Sequence, residues 1–524
     1  MTCPSPHRRC ARWSIGAVRP QWRRTVAPHR RQTHHDADRR TQRGVGRPRT
    51  LALRRVEPLV ATQHGLADVA LDNAVQRPVW HEADTRDWPV TTAPNSGEVD
   101  VAIVGGGFSG LWTAYYFSLA RPDWSIAVFE SQRVGFGASG RNGGWCSGMF
   151  ALSPSELTET FGRDAALHAY AASFATLNEI EAVLVREGIE CGWHRGGSIT
   201  SATIPLQRMR LQGDLAKQHA IGVSEADLRW LNADETRAEM SLADTYGAVY
   251  TPHCATVNPF QMVLGLARVL RQRGVQLWES SPVTAIEPGV VRHTTDGKPG
   301  AVRAGLVVQA TEGYSSSFHQ TRRAMVPLYS LMVATEPLSP EVLAQLNWSR
   351  RATFTDGGRM IIYAQLTADG RIAIGGRGAP YHFGSRINPS FDIDDETHRR
   401  IVKAIARHFP AASGARITHR WGGPLGVPRD WTPSVVVDRT ANYARIGGYT
   451  GDGVACTNLL ARTVVDEWLE HNSPLRNLAF IGHQSPEWEV EPLRFIGVNS
   501  LIHLSDSIDT HEARTGRFTE AAHG

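Results

Sequence analysis

Apolar residues and glycines are arranged between residues 99 and 130 in a pattern that predicts a strand, a helix and a second strand. Residues 99–104 form a short apolar run that leads directly into a turn of the form Gly-x-Gly-x-x-Gly. A helix-compatible segment follows, and a second apolar run over residues 125–129 ends in Glu130. This order predicts a strand–helix–strand unit with a glycine turn at the entry to its helix.

Each residue of this unit suits the binding of a dinucleotide. Gly105 permits the tight turn, Gly107 lets the backbone approach a pyrophosphate, and Gly110 lets the helix pack close to the strand. The helix N-terminus offers free N–H groups to phosphates. Glu130, twenty residues after Gly110, is placed to accept hydrogen bonds from a ribose. A glycine-rich loop without a ligand is the alternative, but here the strand, the helix and the acid all fall in place.

Two further glycine-rich segments extend the pattern. Residues 131–145 contain five glycines with Ser139 and Asn142 among them, and such small residues let the backbone lie against a second, bulky part of the ligand. Residues 446–469 carry a glycine-rich entry to a predicted helix with a broad apolar face. This helix entry is again an anion site, although a buried helix after an ordinary turn is the alternative.

In this order the three segments resemble the D-amino-acid oxidase superfamily of flavoproteins, which includes glycine and sarcosine oxidases. The run over residues 137–144 is most similar to the gamma-glutamylputrescine oxidase branch. The resemblance implies an α/β fold: a discontinuous Rossmann-type domain that binds FAD, with an inserted α+β substrate domain built on a mixed sheet. It further implies FAD rather than NAD as the cofactor.

The resemblance also assigns cofactor contacts. The loop from Ser139 to Gly144 is expected along the ribityl chain and flavin ring, and Val283 at the adenine. The glycine-rich entry to the helix within residues 446–469 is expected at the flavin pyrimidine ring. Glu312 stands where the family commonly has glycine, which leaves the cofactor contact open at that point. The residues expected to bind FAD are Gly105, Gly107, Phe108, Ser109, Gly110, Glu130, Ser131, Ala138, Ser139, Asn142, Gly143, Gly144, Val283, Ala310, Gly448, Gly451, Gly453 and Val454.

Non-covalent binding of FAD follows from the same comparison. Relatives with covalent flavin attach it through His or Cys. Asn142 occupies the histidine position here, and no cysteine lies between Cys254 and Cys456, where the other attachment would fall.

The family topology predicts how the chain divides. The cofactor domain is expected in three pieces, and the substrate domain is inserted between them. A lead-in segment is expected to pack on the cofactor domain. The predicted ranges are 1–64 for a disordered basic leader, 65–98 for the lead-in, 99–195, 250–325 and 425–470 for the FAD-binding domain, 196–249 and 326–424 for the substrate domain, and 471–524 for a C-terminal segment and tail.

Local patterns place further elements in these ranges. Ser153 is a candidate N-cap with proline at the first helical position, and Asp369-Gly370 is a hairpin signal between two strand-like runs. Helices are predicted at 154–187, 259–273 and 395–408, and strands at 329–335, 359–366, 371–375 and 416–421.

The substrate residues are less legible, because positioning rather than a strong base dominates flavin amine oxidation. Arg377, at a strand end expected beside the flavin, would clamp a substrate carboxylate; the alternative is a surface salt bridge or a structural arginine bound to loop carbonyls. Tyr363 and Trp421 are candidates for which core packing is the alternative. His253 could act on a substrate proton near neutral pH or satisfy a loop hydrogen bond. Cys146 is interpreted as a small buried filler.

The reaction implied by the resemblance is oxidation of a C–N bond in a small amine or amino acid. Hydride passes from the alpha carbon to the flavin, and the imine hydrolyses. Oxygen is the expected electron acceptor. Two alternatives stay open: a dehydrogenase that passes electrons to another carrier, and a flavin-bound protein without turnover. The amine and the oligomeric state are not specified.

Composition narrows the classes of protein. A chain of 524 residues can bury a sizeable core and is expected to hold two domains. No run approaches 18 consecutive apolar residues, so no membrane span is expected. The six cysteines are scattered without a CxxC pair; this favours a reducing cytoplasm and indicates no metal site.

The charge is concentrated at the N-terminus. Residues 1–60 hold fifteen Arg, no Lys and three acids, a net +12, so the total of +5 leaves −7 for the remainder. This segment lacks helical or strand periodicity, which predicts disorder. Four interpretations of this segment are open: a nucleic-acid arm, a transit peptide, a twin-arginine signal and translated upstream sequence. The last is preferred, with the functional protein expected to begin near residues 65–71, and no nucleic-acid partner is expected.

Overall fold

The computed structural model describes residues 71–516, and the predictions for residues 1–64 lie outside this range. Strands and helices are numbered separately in chain order. The elements up to the middle of the chain are β1 (Ser96–Val104), α1 (Phe108–Ala120), β2 (Ile126–Phe129), β3 (Trp145–Ser147), α2 (Pro154–Phe161), α3 (Arg163–Arg186), β4 (Ser198–Ser201), α4 (Pro205–Ile221), β5 (Arg229–Leu231), α5 (Ala233–Glu239), β6 (Ala248–Thr251), β7 (Cys254–Thr256) and α6 (Pro259–Gln272). The later elements are β8 (Gln276–Trp278), β9 (Val283–Glu287), β10 (Val290–Thr295), β11 (Lys298–Gln309), β12 (Met325–Thr335), α7 (Pro340–Leu346), β13 (Thr353–Asp356), β14 (Ile362–Leu366), β15 (Ile372–Gly376), α8 (Asp395–His408), β16 (Ile417–Pro428), β17 (Ser434–Asp438), β18 (Tyr443–Gly447), α9 (Gly453–Leu469) and α10 (Leu493–Thr515).

One sheet is built around β1 in the order β17-β18-β11-β1-β2-β8, with β9 and β10 attached to β11. β1 runs parallel to both β2 and β11, so it is a central strand covered on both faces, as its continuous apolar run predicts. Val101 and Ile103 face the core shared with the helices, whereas Ala102 and Val104 join a smaller cluster on the opposite face. This alternation follows from the two-residue period of a strand.

A second, mixed sheet has the order β16-β12-β15-β14-β13-β4-β6-β5. β12 and β16 pair antiparallel along nearly their whole length, and β14 and β15 form the hairpin predicted at Asp369-Gly370. Gly370 takes a φ of +79°, a conformation that glycine adopts without strain. Helix α8 covers this sheet with Ile401 and Ile405. The predicted fold class, a Rossmann-type α/β sheet with a separate mixed sheet, is confirmed.

The predicted helix at 154–187 is two helices. Ser153 caps the first in a capping box with Glu156, as its position predicts. The break falls at Gly162, whose φ of +85° is incompatible with a continuous α-helix. The predictions missed α10, whose 23 residues occupy much of the expected C-terminal tail.

The two sheets fall close to the predicted ranges. β12 begins at Met325, within the predicted cofactor piece, and β16 ends at Pro428, beyond the predicted boundary at 425. Because β16 is continuous across that boundary, one strand would serve both domains. The division into domains itself stays a prediction.

The lead-in packs against the cofactor side. Trp80 donates its indole N–H to the Asn142 carbonyl at 2.8 Å, and the His81 ring lies 4.3 Å from that of Phe260 in α6. Burial lowers the pKa of His81 to about 4. Across residues 71–516, no helix combines the length and apolar character needed to cross a bilayer.

Candidate active site

A cavity of about 340 Å³ opens where the parallel strands of the first sheet end. Ligands of open α/β sheets bind at this carboxyl edge. The ends of β1 and β2, the start of α1, the residues after β11 and the entry to α9 all contribute to its wall.

The turn between β1 and α1 has no room for side chains. Gly105 has a φ of +115°, and a Cβ there would lie 2.5 Å from the Ala310 carbonyl oxygen. A Cβ on Gly110 would lie 2.0 Å from the Gly105 oxygen, which is what close helix–strand packing requires. Gly107 is the N-cap of α1, and a Cβ on it would meet Ser139 Oγ at 2.8 Å. The turn therefore presents backbone to the cavity.

Glu130 lines the cavity at the end of β2. Its carboxylate accepts the N–H of Gly106 and the N–H of Gln132, each at 2.9 Å. Burial raises the pKa of Glu130, and these two bonds act against the shift. The acid thus fixes the glycine turn while its side chain faces the space where a ribose is expected.

The segment after β2 folds back onto the start of α1. Ser139 Oγ accepts the N–H of Phe108 at 2.9 Å. The Asn142 amide donates to the carbonyls of Ala138 and Ser139 and accepts the N–H of Gly144 at 2.8 Å. The side chain of Asn142 is therefore committed to holding its own loop.

Glu312 is the residue at which the sequence left the cofactor contact open, because the family commonly has glycine there. Its φ is +41°, and its carboxylate accepts the N–H of Gly448 at 3.0 Å and of Tyr449 at 3.2 Å. Burial raises the pKa of Glu312 to about 7, against the effect of these two bonds. The side chain joins the residues after β11 to the loop before α9, and it also lines the cavity.

The structure brings most of the predicted cofactor residues to one wall. Gly110, Gly143, Gly144 and Gly448 do not line the cavity; each supports a neighbouring segment. Those that line it are Gly105, Gly107, Phe108, Ser109, Glu130, Ser131, Ala138, Ser139, Asn142, Val283, Ala310, Gly451, Gly453 and Val454. The lining residues that the sequence did not single out include Phe136, Thr311, Tyr314, Phe318, Leu425, Gly426, Tyr449 and Thr457.

The missed lining residues come from two kinds of segment. Tyr449 lies within the glycine-rich entry to α9, and its hydroxyl is 2.8 Å from that of Ser109. Leu425 and Gly426 come from β16, a strand of the other sheet. The glycine run around Tyr449 was visible in the sequence, but only tertiary packing brings β16 to the cavity.

Tyr363 stands where the mixed sheet meets the glycine loop. Its hydroxyl is 2.8 Å from that of Ser330 in β12, and a Cβ on Gly143 would lie 2.9 Å from its ring. The Trp145 ring meets it edge-on at 6.0 Å. Burial raises the pKa of Tyr363, whereas nearby Arg377 acts to lower it.

Arg377 follows the last residue of β15, and its guanidinium lies 5.5 Å from the centre of the Trp431 ring. Among residues 71–516, no hydrogen-bond acceptor or ion-pair partner contacts this guanidinium. If Arg377 had a structural role, its charge would be paired within the protein. The guanidinium is instead free to bind a ligand.

None of the four catalytic candidates lines the cavity. Trp421 and His253 are already engaged in contacts within the protein. Trp421 is buried and donates its indole N–H to the Arg141 carbonyl at 2.8 Å, a contact that fits core packing. His253 Nε2 is 2.8 Å from Asp227, and its ring stacks on Phe174. Burial lowers the pKa of His253. These contacts suit the loop role weighed for His253, and the catalytic role of either residue stays a prediction.

The cavity fits FAD. It combines a side-chain-free turn, a helix N-terminus and a terminal acid, which are the features that bind a dinucleotide. Its lining extends from Val283 to the loop before α9, so a single ligand could contact all three glycine segments.

A family profile described as FAD dependent oxidoreductase matches residues 100–467. The chain belongs to this family. Gamma-glutamylputrescine oxidoreductase of Escherichia coli (strain K12) is 29% identical over 384 residues, which cover 72% of this chain and 85% of that protein. Sarcosine oxidase subunit beta of Rhizobium meliloti (strain 1021) is 25% identical, covering 69% and 80% of the two chains.

Among solved structures, glycine oxidase from Geobacillus kaustophilus superimposes with a TM-score of 0.61 at 22% identity, covering 74% of this chain and 99% of that one. This likeness supports the fold. The predicted family is confirmed, and so is the predicted class of enzyme, an FAD-dependent oxidoreductase.

Proposed function

We propose that this protein oxidises the C–N bond of a small amino acid that carries a free carboxylate, with FAD bound non-covalently. The observation that carries the proposal is the unpaired guanidinium of Arg377 beside Tyr363, at the junction of the mixed sheet and the glycine loop. A guanidinium suits a carboxylate because its planar fork can donate two parallel hydrogen bonds.

The chain's own residues would hold the cofactor mainly through backbone. The turn at Gly105–Gly107 and the N-terminus of α1 suit the pyrophosphate, Glu130 suits the ribose, and the wall at Val283 suits the adenine. Bound FAD supplies a two-electron acceptor. The entry to α9 suits the negative charge that accumulates on reduction, since a helix N-terminus favours an anion.

Non-covalent attachment has two supports. The Asn142 side chain offers no ring nitrogen and is already engaged in its loop. None of the cysteines in the described part of the chain lines the cavity. Acid precipitation of the yellow protein should release FAD into the supernatant, and colour retained in the pellet would contradict the proposal.

On the substrate side, Arg377 would bind the carboxylate of the substrate, and Tyr363 would orient the substrate. The Tyr363 ring is fixed by its Ser330 contact and by Gly143, so it forms a rigid wall beside the loop expected along the flavin. Holding a carboxylate at one end and a wall at the other limits the orientations of the alpha carbon, and such positioning supplies much of the rate enhancement in reactions of this kind.

Oxygen is the proposed electron acceptor, as the names of the sarcosine and glycine oxidases among the similar proteins suggest. A dehydrogenase that uses another carrier is the second candidate. Stoichiometric hydrogen peroxide supports the first, and turnover only with an added dye supports the second. The four cysteines in residues 71–516 are free and buried, which fits the proposed cytoplasmic location.

The deciding experiment is anaerobic bleaching of the flavin by a panel of D- and L-amino acids, gamma-glutamyl amines, aminophosphonates and polyamines. Compounds with an acidic group next to the amine should bleach fastest. If polyamines without an acidic group react as well as amino acids, the assignment of Arg377 to a carboxylate is wrong.

A further inference from the structure

Asp452 occupies the N-cap of α9 but does not cap it. An aspartate at this position ordinarily accepts a backbone N–H from the first turn of the helix. Here the side chain makes no such bond. In the part of the chain that the structure describes, its carboxylate accepts no hydrogen bond and joins no ion pair. The helix therefore leaves this charge available to another group.

The carboxylate is deep in the protein yet reachable. It lies near enough to Tyr170, Cys254 and Cys456 to raise the pKa of each, while its side chain keeps partial accessibility. Its two neighbours in sequence, Gly451 and Gly453, line the cavity, whereas Asp452 itself lies beside the lining. Burial raises the pKa of Asp452 to about 6. A carboxylate that is largely removed from solvent and has no partner is costly to keep charged, so it indicates a site that a ligand completes.

Arg377 is the complementary charge. It is the one charged group that offsets burial at Asp452, and it acts on Tyr363 as well. Arg377 and Asp452 do not pair with each other, although they sit on different elements that converge beside the glycine loop. Two opposite charges held apart are suited to a ligand that carries both charges on groups bonded to the same carbon.

We infer that Asp452 binds the amino group of the substrate while Arg377 binds its carboxylate, so that the site selects zwitterionic amino acids. This inference rests on the proposed function and adds the second anchor to it. A hydroxy acid would leave Asp452 unpaired, and a simple amine would leave Arg377 unpaired. Such unpaired polar groups are what allow a site to reject an analogue strongly.

Fixing both substituents of the alpha carbon also fixes the carbon between them. The amine donates N–H to a carboxylate oxygen of Asp452, and the guanidinium of Arg377 donates to the carboxylate. The remaining bonds of the alpha carbon then have one orientation relative to the Tyr363 wall. Asp452 is thus a binding residue for the reacting nitrogen.

The test uses three ligands on one skeleton: glycine carries both charges, glycolate lacks the amine and glycinamide lacks the carboxylate. Each is titrated into the FAD-loaded protein, and its Kd is read from the flavin spectrum or by calorimetry. Asp452→Asn should raise the Kd of glycine and of glycinamide roughly tenfold or more. It should change the Kd of glycolate by no more than about twofold. Asp466→Asn, the same change at the far end of α9, is the matched control.

Asp452→Glu keeps the charge and should retain the preference for glycine over glycolate. This variant therefore separates loss of the charge in Asp452→Asn from a folding defect caused by the substitution. Equal weakening of all three ligands in both variants, or of none, overturns the inference. Arg377→Lys should instead weaken glycine and glycolate and spare glycinamide. If that pattern fails, the proposed function fails; if only the Asp452 pattern fails, the second anchor alone is wrong.

Discussion

The wall expected to hold the cofactor consists mainly of backbone, whereas the wall expected to hold the substrate consists of side chains. Around the β1–α1 turn, Gly105 and Gly107 expose backbone, and side chains are excluded by contacts of 2.5 to 2.8 Å. At the mixed sheet, charged and aromatic side chains from separate elements meet: Tyr363 from β14, Arg377 from the end of β15 and Asp452 from the start of α9.

This difference has a physical consequence for specificity. A backbone wall recognises the phosphates and rings of one large cofactor, and it tolerates little change because each glycine is enclosed. A side-chain wall can be rebuilt one residue at a time without disturbing the sheet that carries it. The same fold can therefore keep its cofactor while its substrates diverge.

The largest effect is expected at the backbone wall. Gly107→Val should abolish FAD binding, a loss of more than about 3 kcal/mol, because the side chain would meet Ser139 and intrude on the pyrophosphate space. FAD content after gel filtration measures it. The control is Gly213→Val in α4, where a Cβ meets nothing within 4 Å. Full flavin occupancy in Gly107→Val would mean that the cofactor lies elsewhere.

The next effect should fall on the side-chain wall. Arg377→Lys keeps the charge but loses the planar fork. The loss of binding free energy for an acidic substrate should be roughly 2 to 3 kcal/mol, which raises its KM about 30- to 150-fold. FAD content should not change. Steady-state kinetics with an acidic and a neutral amine measures it, with the exposed Arg303→Lys as control. Equal kinetics for both amines would make Arg377 structural and erase the contrast between the two walls.

The cofactor wall was the more predictable of the two. Its glycines recur at fixed spacing because each is required locally, as Gly105 shows by its positive φ and Gly110 by its close approach to the Gly105 oxygen. The acid at Glu130 follows from the strand that carries it. These features depend on neighbours in sequence, so one chain was enough to predict them.

The substrate wall depends on neighbours in space. Asp452 lies inside a glycine run whose sequence predicts an anion site at a helix N-terminus, and its failure to cap α9 is visible only in three dimensions. Trp421 was chosen from a strand end, yet packing directs its indole to Arg141. Helix α10 was missed because its exposed face carries apolar residues such as Leu493 and Leu504, which weakens the amphipathic pattern that marks a helix.

A moderate effect is expected at Glu312, whose side chain joins the residues after β11 to the loop before α9. Its pKa of about 7 lies above the ordinary value of 4.5, so the folded protein holds the proton more tightly than the unfolded chain. Stability from this group is full below pH 4.5 and is lost as the pH rises through 7. The free energy of unfolding should therefore fall with pH, by up to about 1.4 kcal/mol per unit.

Glu312→Gln should remove this component. Urea unfolding of both proteins between pH 5 and pH 8, with FAD in fixed excess, measures the difference. Asp452 and Asp356, whose pKa values are also raised to about 6, are common to both proteins and cancel. A difference that stays constant with pH would show that Glu312 is ionised throughout, which would make it a plain anion within the backbone wall.

The smallest effect is expected at Tyr363, where the two walls touch. Tyr363→Phe keeps the ring against Gly143 and removes the hydroxyl contact with Ser330. One neutral hydrogen bond contributes about 1 kcal/mol, so kcat/KM should fall about fivefold or less while FAD content stays unchanged. Tyr363→Ala removes the ring and should cost far more if the ring orients the substrate. Comparison of the two variants under single-turnover conditions separates the roles. A large loss in Tyr363→Phe would assign the hydroxyl to the substrate and make this residue part of the polar recognition. A small loss in both variants would leave Tyr363 as packing between the sheets and place the orientation of the substrate on Arg377 and Asp452 alone.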